Sequence, residues 1–127
     1  MKIEHMALWT ADLEQMKSFY ETYFGAAAGD KYTNAKKQFH SYFLQFESGA
    51  RLELMTKPAC AGREEGRIYL GYAHIAFSTG SEDNVVELTE RLRRDGYTVE
   101  SEPRITGDGY FESVVLDPEG NSIEITV

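Results

Sequence analysis

Two histidines and two glutamates stand at matching places in the two halves of this 127-residue chain. His5 lies in the stretch Ile-Glu-His-Met-Ala-Leu, and His74 lies in the similar stretch Tyr-Ala-His-Ile-Ala-Phe. Glu53 stands between two leucines, 48 positions after His5, and Glu124 stands between two isoleucines, 50 positions after His74. The near-equal spacing indicates that one pair of residue types was duplicated together with the segment that carries it.

Imidazole nitrogens and carboxylate oxygens are ligands for borderline and hard divalent ions, so these residues suit Zn, Ni, Co, Fe or Mn. Four protein ligands leave room for one or two waters, as a catalytic site requires. The competing interpretation is that a glutamate between apolar residues merely faces solvent on an amphipathic strand. Because the two residue types recur as matched pairs, we predict one divalent metal ion per site, bound by His5, Glu53, His74 and Glu124.

The residues around each candidate ligand alternate in polarity, which is typical of half-buried strands. Met6 and Leu8 alternate with His5, so we expect them to fill a core under a helix while His5 shares the opposite face with the other ligands. The residues that play the same part around the other three ligands are Leu52, Leu54, Ile75, Phe77, Ile123 and Ile125.

Each half of the sequence is predicted to form a strand, a helix and three further strands. Apolar residues recur at helical spacing between Asp12 and Gly25, which predicts a helix over 12–24, and Ser81 and Gly96 bound a second helix. Strands are predicted near residues 3–10, 29–32, 40–47, 51–56, 73–79, 97–103, 110–116 and 122–127.

The expected fold is a single α+β domain over residues 1–127, built from two tandem βαβββ repeats. The repeats cover about 1–56 and 72–127, and residues 57–71, which are rich in glycine and charge, form the predicted linker. A curled mixed sheet is expected to surround a metal cleft, with the helices on its outer face.

The composition argues against several classes of function. The net charge of −8 disfavours binding to nucleic acid, and no apolar run is long enough to span a membrane. The first residues lack the apolar core of a signal peptide. The single cysteine, Cys60, excludes an internal disulfide framework and fits a reducing compartment. We therefore expect a cytoplasmic protein that binds neither nucleic acid nor a membrane.

Longer stretches of the sequence resemble the vicinal oxygen chelate superfamily, which includes glyoxalases, bleomycin-resistance proteins and extradiol dioxygenases. The stretches that carry the resemblance are His5 to Leu8, Asp12-Leu13, Phe19-Tyr20, Phe24-Gly25, Gly71 to Phe77, Asp117 to Asn121 and Ile123-Glu124. The likeness covers essentially the whole chain, but the superfamily hosts many chemistries, so it says little about the substrate.

Within the superfamily, the set His5, Glu53, His74 and Glu124 resembles the metal ligands of glyoxalase I. That resemblance implies a lactoylglutathione lyase-like isomerase, in which a metal stabilises the enediolate of a 2-oxoaldehyde–thiol adduct or a related oxygen-chelating molecule. It also implies that Glu124 is the favoured base and Glu53 the second catalytic candidate. Members of the superfamily are usually dimers, so a homodimer is expected, and in several members the metal site is assembled from both chains.

One position departs from the glyoxalases that use glutathione, which typically carry an arginine four positions after the first histidine. Trp9 occupies that position here, on the same strand face as His5, so we expect a less charged substrate or a different thiol. Phe43 and Phe111 are expected to contact the substrate together with Trp9. The alternative functions are a protein that binds an antibiotic and confers resistance, or another enzyme of the superfamily, such as a dioxygenase, an epimerase or a thiol transferase.

Overall fold

The computed structural model of the chain describes residues 1–62, 64 and 67–127. The chain divides into two compact units, residues 1–65 and 66–127, and the division falls inside the predicted linker. Part of the linker prediction, at residues 63, 65 and 66, lies outside the described residues. The described residues between 57 and 71 contain no helix or strand.

Each unit contains one long helix and one mixed sheet in its described part. The elements of the first unit are β1 (His5–Trp9), α1 (Leu13–Phe24), β2 (Ala27–Ala28), β3 (Tyr32–Asn34), β4 (Phe39–Gln45) and β5 (Arg51–Thr56). The elements of the second unit are β6 (His74–Ser78), α2 (Glu82–Arg94), β7 (Val99–Ile105), β8 (Phe111–Leu116) and β9 (Ser122–Thr126).

The two sheets repeat one pattern of strand pairing. The first sheet has the order β1-β5-β4-β2, with β3 also paired to β4, and the second has the order β6-β9-β8-β7. In both sheets the first strand of the unit pairs parallel with the last strand, and the other pairs are antiparallel. This arrangement confirms the predicted α+β class and the two half-modules.

Both helices begin at residues that the sequence marks, and α1 also ends at one. The Asp12 carboxylate accepts a hydrogen bond from the backbone N–H of Gln15, and α1 ends at Gly25, whose φ of 65° suits a residue without Cβ. At α2 the Ser81 hydroxyl accepts a hydrogen bond from the backbone N–H of Asn84. Capping satisfies backbone donors that have no partner within the helix, so the sequence defines both helix starts.

Each helix packs against one face of the sheet in its own unit, and the core of the unit lies between them. In the first unit the buried apolar side chains include Leu13, Met16, Phe19, Tyr20, Leu44, Leu52 and Leu54. In the second unit they include Val85, Leu92, Val115, Ile123 and Ile125. The other face of each sheet, turned away from the helix, is called the distal face below.

Three details differ from the prediction. Met6 and Leu8 are only half-buried, because β1 lies at the edge of its sheet while α1 packs mainly over β4 and β5. In place of the strand predicted near 29–32, the chain forms β2 before this range and β3 from Tyr32 onward. Strand β7 continues through Pro103 to Ile105, which an edge strand tolerates because the missing N–H is not needed there.

None of the helices in the described part of the chain is long and apolar enough to cross a membrane.

Candidate metal-binding half-sites

The first His/Glu pair lies on the distal face of the first sheet. His5 is on β1 and Glu53 is on the adjacent parallel strand β5, where the pairing of Ala7 with Glu53 places the two side chains on the same face. His5 Nε2 is 3.9 Å from Glu53 Oε2. The Glu53 side chain is only 15% exposed, compared with 39% for His5, so the carboxylate lies deeper than the imidazole.

A second carboxylate orients His5. The Nδ1 of His5 forms a short hydrogen bond with the Glu4 carboxylate, which also pairs with the Arg51 guanidinium. The hydrogen bond from His5, and then that from Arg51, lowers the pKa of Glu4. With Nδ1 bonded to a carboxylate, Nε2 is the nitrogen directed at Glu53, and this carboxylate–histidine arrangement is common behind metal ligands. Sequence analysis did not identify Glu4, although its position beside His5 was the available signal.

The second His/Glu pair repeats the first. His74 on β6 and Glu124 on β9 occupy adjacent parallel strands, in a register where Ala76 pairs with Glu124. His74 Nε2 is 3.4 Å from Glu124 Oε2. Because Ala73 occupies the position that corresponds to Glu4, the second pair has no such orienting carboxylate from the preceding residue.

A further glutamate lies beside Glu124. Strand β8 pairs Val114 with Glu124 and Glu112 with Thr126, so Glu112 lies on the distal face with Glu124. Glu112 is buried, and burial raises its pKa, to which the charge of Glu124 and a hydrogen bond with Glu124 add. The Arg104 guanidinium, 3.6 Å from the Glu112 carboxylate, lowers the same pKa and so opposes this effect. Sequence analysis did not identify Glu112, although the alternation of residues opposite Glu124 on β8 could have found it.

The three residues predicted to contact the substrate lie in three different surroundings. Trp9 lies on the distal face of the first sheet and is 46% exposed. The Phe43 ring contacts the His5 ring edge to face, at 5.3 Å between centroids. Phe111 alternates with Glu112 on β8, so it shares the helix-side face with Ser113 and is not brought to the His74–Glu124 pair.

The donor types in the two pairs fit a divalent metal ion. Each pair offers an imidazole nitrogen and a carboxylate oxygen, the set that Zn, Ni, Co, Fe and Mn accept. Among residues 1–62, 64 and 67–127, no group of three or more His, Cys, Asp or Glu is arranged to hold a metal ion. Each pair is therefore described here as a half-site: the first half-site is His5 and Glu53, and the second is His74 and Glu124.

Solved structures share this fold over the whole chain. A glyoxalase family protein from Enterococcus faecalis aligns with a TM-score of 0.82 at 21% identity, covering 99% of this chain and 97% of that one. A possible glyoxalase from Bacillus cereus aligns with a TM-score of 0.72 at 27% identity, covering 100% and 99%. The trypanothione-dependent glyoxalase I of Leishmania major aligns with a TM-score of 0.79 at 23% identity, covering 99% and 86%.

A search of the curated proteins found no match. The family model of the glyoxalase/bleomycin resistance protein/dioxygenase superfamily, in contrast, matches residues 2–125. That match includes both units and all four residues of the half-sites. The chain therefore belongs to the glyoxalase/bleomycin resistance protein/dioxygenase superfamily.

Proposed function

We propose that the protein is a metal-dependent isomerase of the glyoxalase I type. Its substrate is a small molecule with two neighbouring oxygens, such as the adduct of a 2-oxoaldehyde with a thiol. The observation that carries the proposal is the duplicated half-site, in which a histidine Nε2 lies 3.9 Å or 3.4 Å from a glutamate carboxylate on an adjacent parallel strand. A solvent-facing glutamate would not need a histidine partner at the same place in both units.

The four residues of the half-sites are proposed as the ligands of one divalent ion per site. When bound, the ion would polarise the two substrate oxygens and so make the carbon beside them more acidic. Glu124 is proposed to take a proton from that carbon and return it to the neighbouring carbon. Glu53 is the second candidate for this role, because it occupies the equivalent position in the first unit.

The surroundings of Glu124 differ from those of Glu53. Glu112 lies beside Glu124 on the distal face, and burial, followed by the charge of Glu124 and a hydrogen bond with it, raises the pKa of Glu112. The protonated form of Glu112 that this shift favours can donate a hydrogen bond to the Glu124 carboxylate. Glu53 has no corresponding carboxyl neighbour on β4, where Phe43 pairs with it.

We also propose that the protein acts as a homodimer and that it functions in the cytoplasm. The homodimer rests on the superfamily resemblance, and the cytoplasmic location rests on the single free cysteine, which fits a reducing compartment. Each chain supplies four proposed ligands and each ion uses four. A monomer and a dimer would therefore both hold one metal ion per chain. Light scattering of the metal-loaded protein measures the oligomeric state directly.

Hydrogen exchange during turnover tests the proposed reaction. The metal-loaded protein would be given methylglyoxal with a panel of thiols in D₂O, and we expect deuterium at the carbon that receives the proton. Glu124→Gln should lower turnover by at least about 100-fold, since general-base catalysis contributes about that much. Glu82→Gln, an exposed residue in the first turn of α2, is the matched control. Unchanged turnover in Glu124→Gln would refute the assignment of the base.

A further inference from the structure

Three aromatic side chains form a continuous surface on the distal face of the first sheet, beyond the first half-site. The Phe39 ring contacts Trp9 edge to face at 6.2 Å and Tyr32 at 6.1 Å between centroids. The register of β3 with β4 explains the grouping, because Tyr32 pairs with Ser41 and Asn34 pairs with Phe39. Trp9, Tyr32 and Phe39 are called the aromatic cluster below.

The aromatic cluster is not part of the buried core. Trp9 is 46% exposed and Tyr32 is 56% exposed, while the core of the unit lies on the helix side of the sheet. Large aromatic side chains that remain exposed together usually mark a binding surface, because covering them removes much apolar area from water. The cluster therefore has ring surface available for a ligand.

A lysine adds a positive charge to this surface. Lys57 follows β5, and its Nζ lies 4.4 Å from the centroid of the Trp9 ring. Among the described residues, no carboxylate forms an ion pair with Lys57, although the chain carries a net charge of −8.

The spacing along β1 sets the size of the ligand. Trp9 is four residues from His5 on the same strand face, which corresponds to about 13 Å along an extended chain. A three-carbon dicarbonyl is too short to reach both places. A molecule that contacts the first half-site and the aromatic cluster must carry a second part at that distance.

We propose that the aromatic cluster and Lys57 bind the distal part of the substrate, and that this part carries an aromatic ring and a carboxylate. This proposal rests on the proposed function, in which the two neighbouring oxygens of the substrate lie at the His/Glu residues and so orient the rest of the substrate. The ring packs on Trp9 and Phe39, and the carboxylate pairs with the Lys57 ammonium. The preferred substrate is thus an aromatic acid, or the adduct of a small dicarbonyl with an aromatic, acidic carrier.

Fluorescence of Trp9 tests this proposal without catalysis, because it is the single tryptophan of the chain. Metal-free protein would be titrated with 3-phenylpropanoate, its neutral amide and hexanoate. We expect a saturable change with 3-phenylpropanoate and binding weaker by about fivefold for the amide, as loss of one partly exposed ion pair implies. Hexanoate should bind more weakly than 3-phenylpropanoate, because it has no ring to pack on the cluster.

Two lysine variants make the test specific. Lys57→Gln should weaken binding of 3-phenylpropanoate about fivefold and leave the amide unaffected. The matched control is Lys17→Gln, because Lys17 also lies over an aromatic ring, that of Tyr42, at 4.9 Å. Thermal melts of both variants show whether the fold is retained, and Phe39→Leu gives a second variant that removes ring contact but no charge.

Several outcomes would overturn the inference. These are no saturable change up to about 10 mM ligand, equal affinity for the acid and the amide, or unchanged affinity in Lys57→Gln. Burial of Trp9 that depends only on protein concentration would show that a second copy of the chain covers the cluster. A fluorescence response without isomerase activity would contradict the proposed function alone, whereas isomerase activity without the response would contradict only this inference.

Discussion

Glu4 distinguishes the two histidines of the half-sites from each other. The carboxylate of Glu4 bonds to Nδ1 of His5 and is held in turn by Arg51, whereas Ala73 precedes His74. A hydrogen bond at Nδ1 fixes the ring orientation and makes Nε2 a stronger metal ligand. We therefore expect His5 to be the better ordered of the two histidines before metal binds.

Removing Glu4 should weaken metal binding without removing a ligand. Glu4→Ala leaves Nδ1 of His5 without its carboxylate, and we expect the metal affinity to fall by about 10- to 100-fold. Glu47→Ala, an exposed residue between β4 and β5, is the control. Competition with a chelator of known affinity measures the change. If Glu4→Ala and Glu47→Ala bind metal equally well, Glu4 has no orienting role.

At the scale of single residues, the sequence predicts the candidate ligands but not their neighbours. The repeated pattern identifies both His/Glu pairs, and alternation along β1 correctly places Trp9 on the face of His5. Alternation on β8 and adjacency to His5 mark the positions of Glu112 and Glu4, but their roles depend on strand register and side-chain rotamers, which sequence spacing does not determine. The same dependence explains Phe111, whose position on the helix-side face follows from the pairing of β8 with β9.

A buried hydroxyl pair connects the helix and the sheet of the second unit. Thr89 on α2 and Ser113 on β8 are fully buried, and their hydroxyl oxygens lie 2.6 Å apart. The Thr89 hydroxyl donates a hydrogen bond to the backbone carbonyl of Val85 at 2.6 Å, so Ser113 is the donor within the hydroxyl pair. The pair favours this packing of α2 on β8, because the buried Ser113 hydroxyl would lose this partner in another arrangement.

Breaking that pair should destabilise the second unit. Thr89→Val leaves the Ser113 hydroxyl buried without its partner, and we expect the free energy of unfolding to fall by about 1–3 kcal/mol. The double variant with Ser113→Ala should recover part of the loss, because it removes the unsatisfied hydroxyl. Urea unfolding of the metal-free proteins measures both values. Equal stability of the wild-type protein and Thr89→Val would contradict the role of the pair.

The elements themselves follow closely from the sequence. Asp12, Gly25 and Ser81 predict the helix limits within one or two residues, because capping is a local interaction. The first sheet is less predictable between residues 26 and 38, where small and polar side chains carry no alternation. In this region β2 and β3 form because they pair with β4. The residues of a short segment do not show which distant strand it will pair with.

In the molecule as a whole, the two units repeat the same arrangement of strands and of His/Glu pairs. Two units of similar topology each present one histidine and one glutamate on the distal face of a sheet, on strands that are parallel neighbours. Because each pair offers only two ligands, neither satisfies a divalent ion by itself. We therefore propose that all four residues bind one ion.

The metal content of single-residue variants shows whether both half-sites bind the same ion. The wild-type protein, loaded with Ni or Zn and dialysed, should hold about one ion per chain by elemental analysis. His5→Ala and His74→Ala should each lower the affinity by at least about 100-fold. His40→Ala is the control, since its Nδ1 bonds to the Thr33 hydroxyl at 3.0 Å and it belongs to neither pair. Retention of metal after loss of either His5 or His74, or equal loss in His40→Ala, would contradict the account.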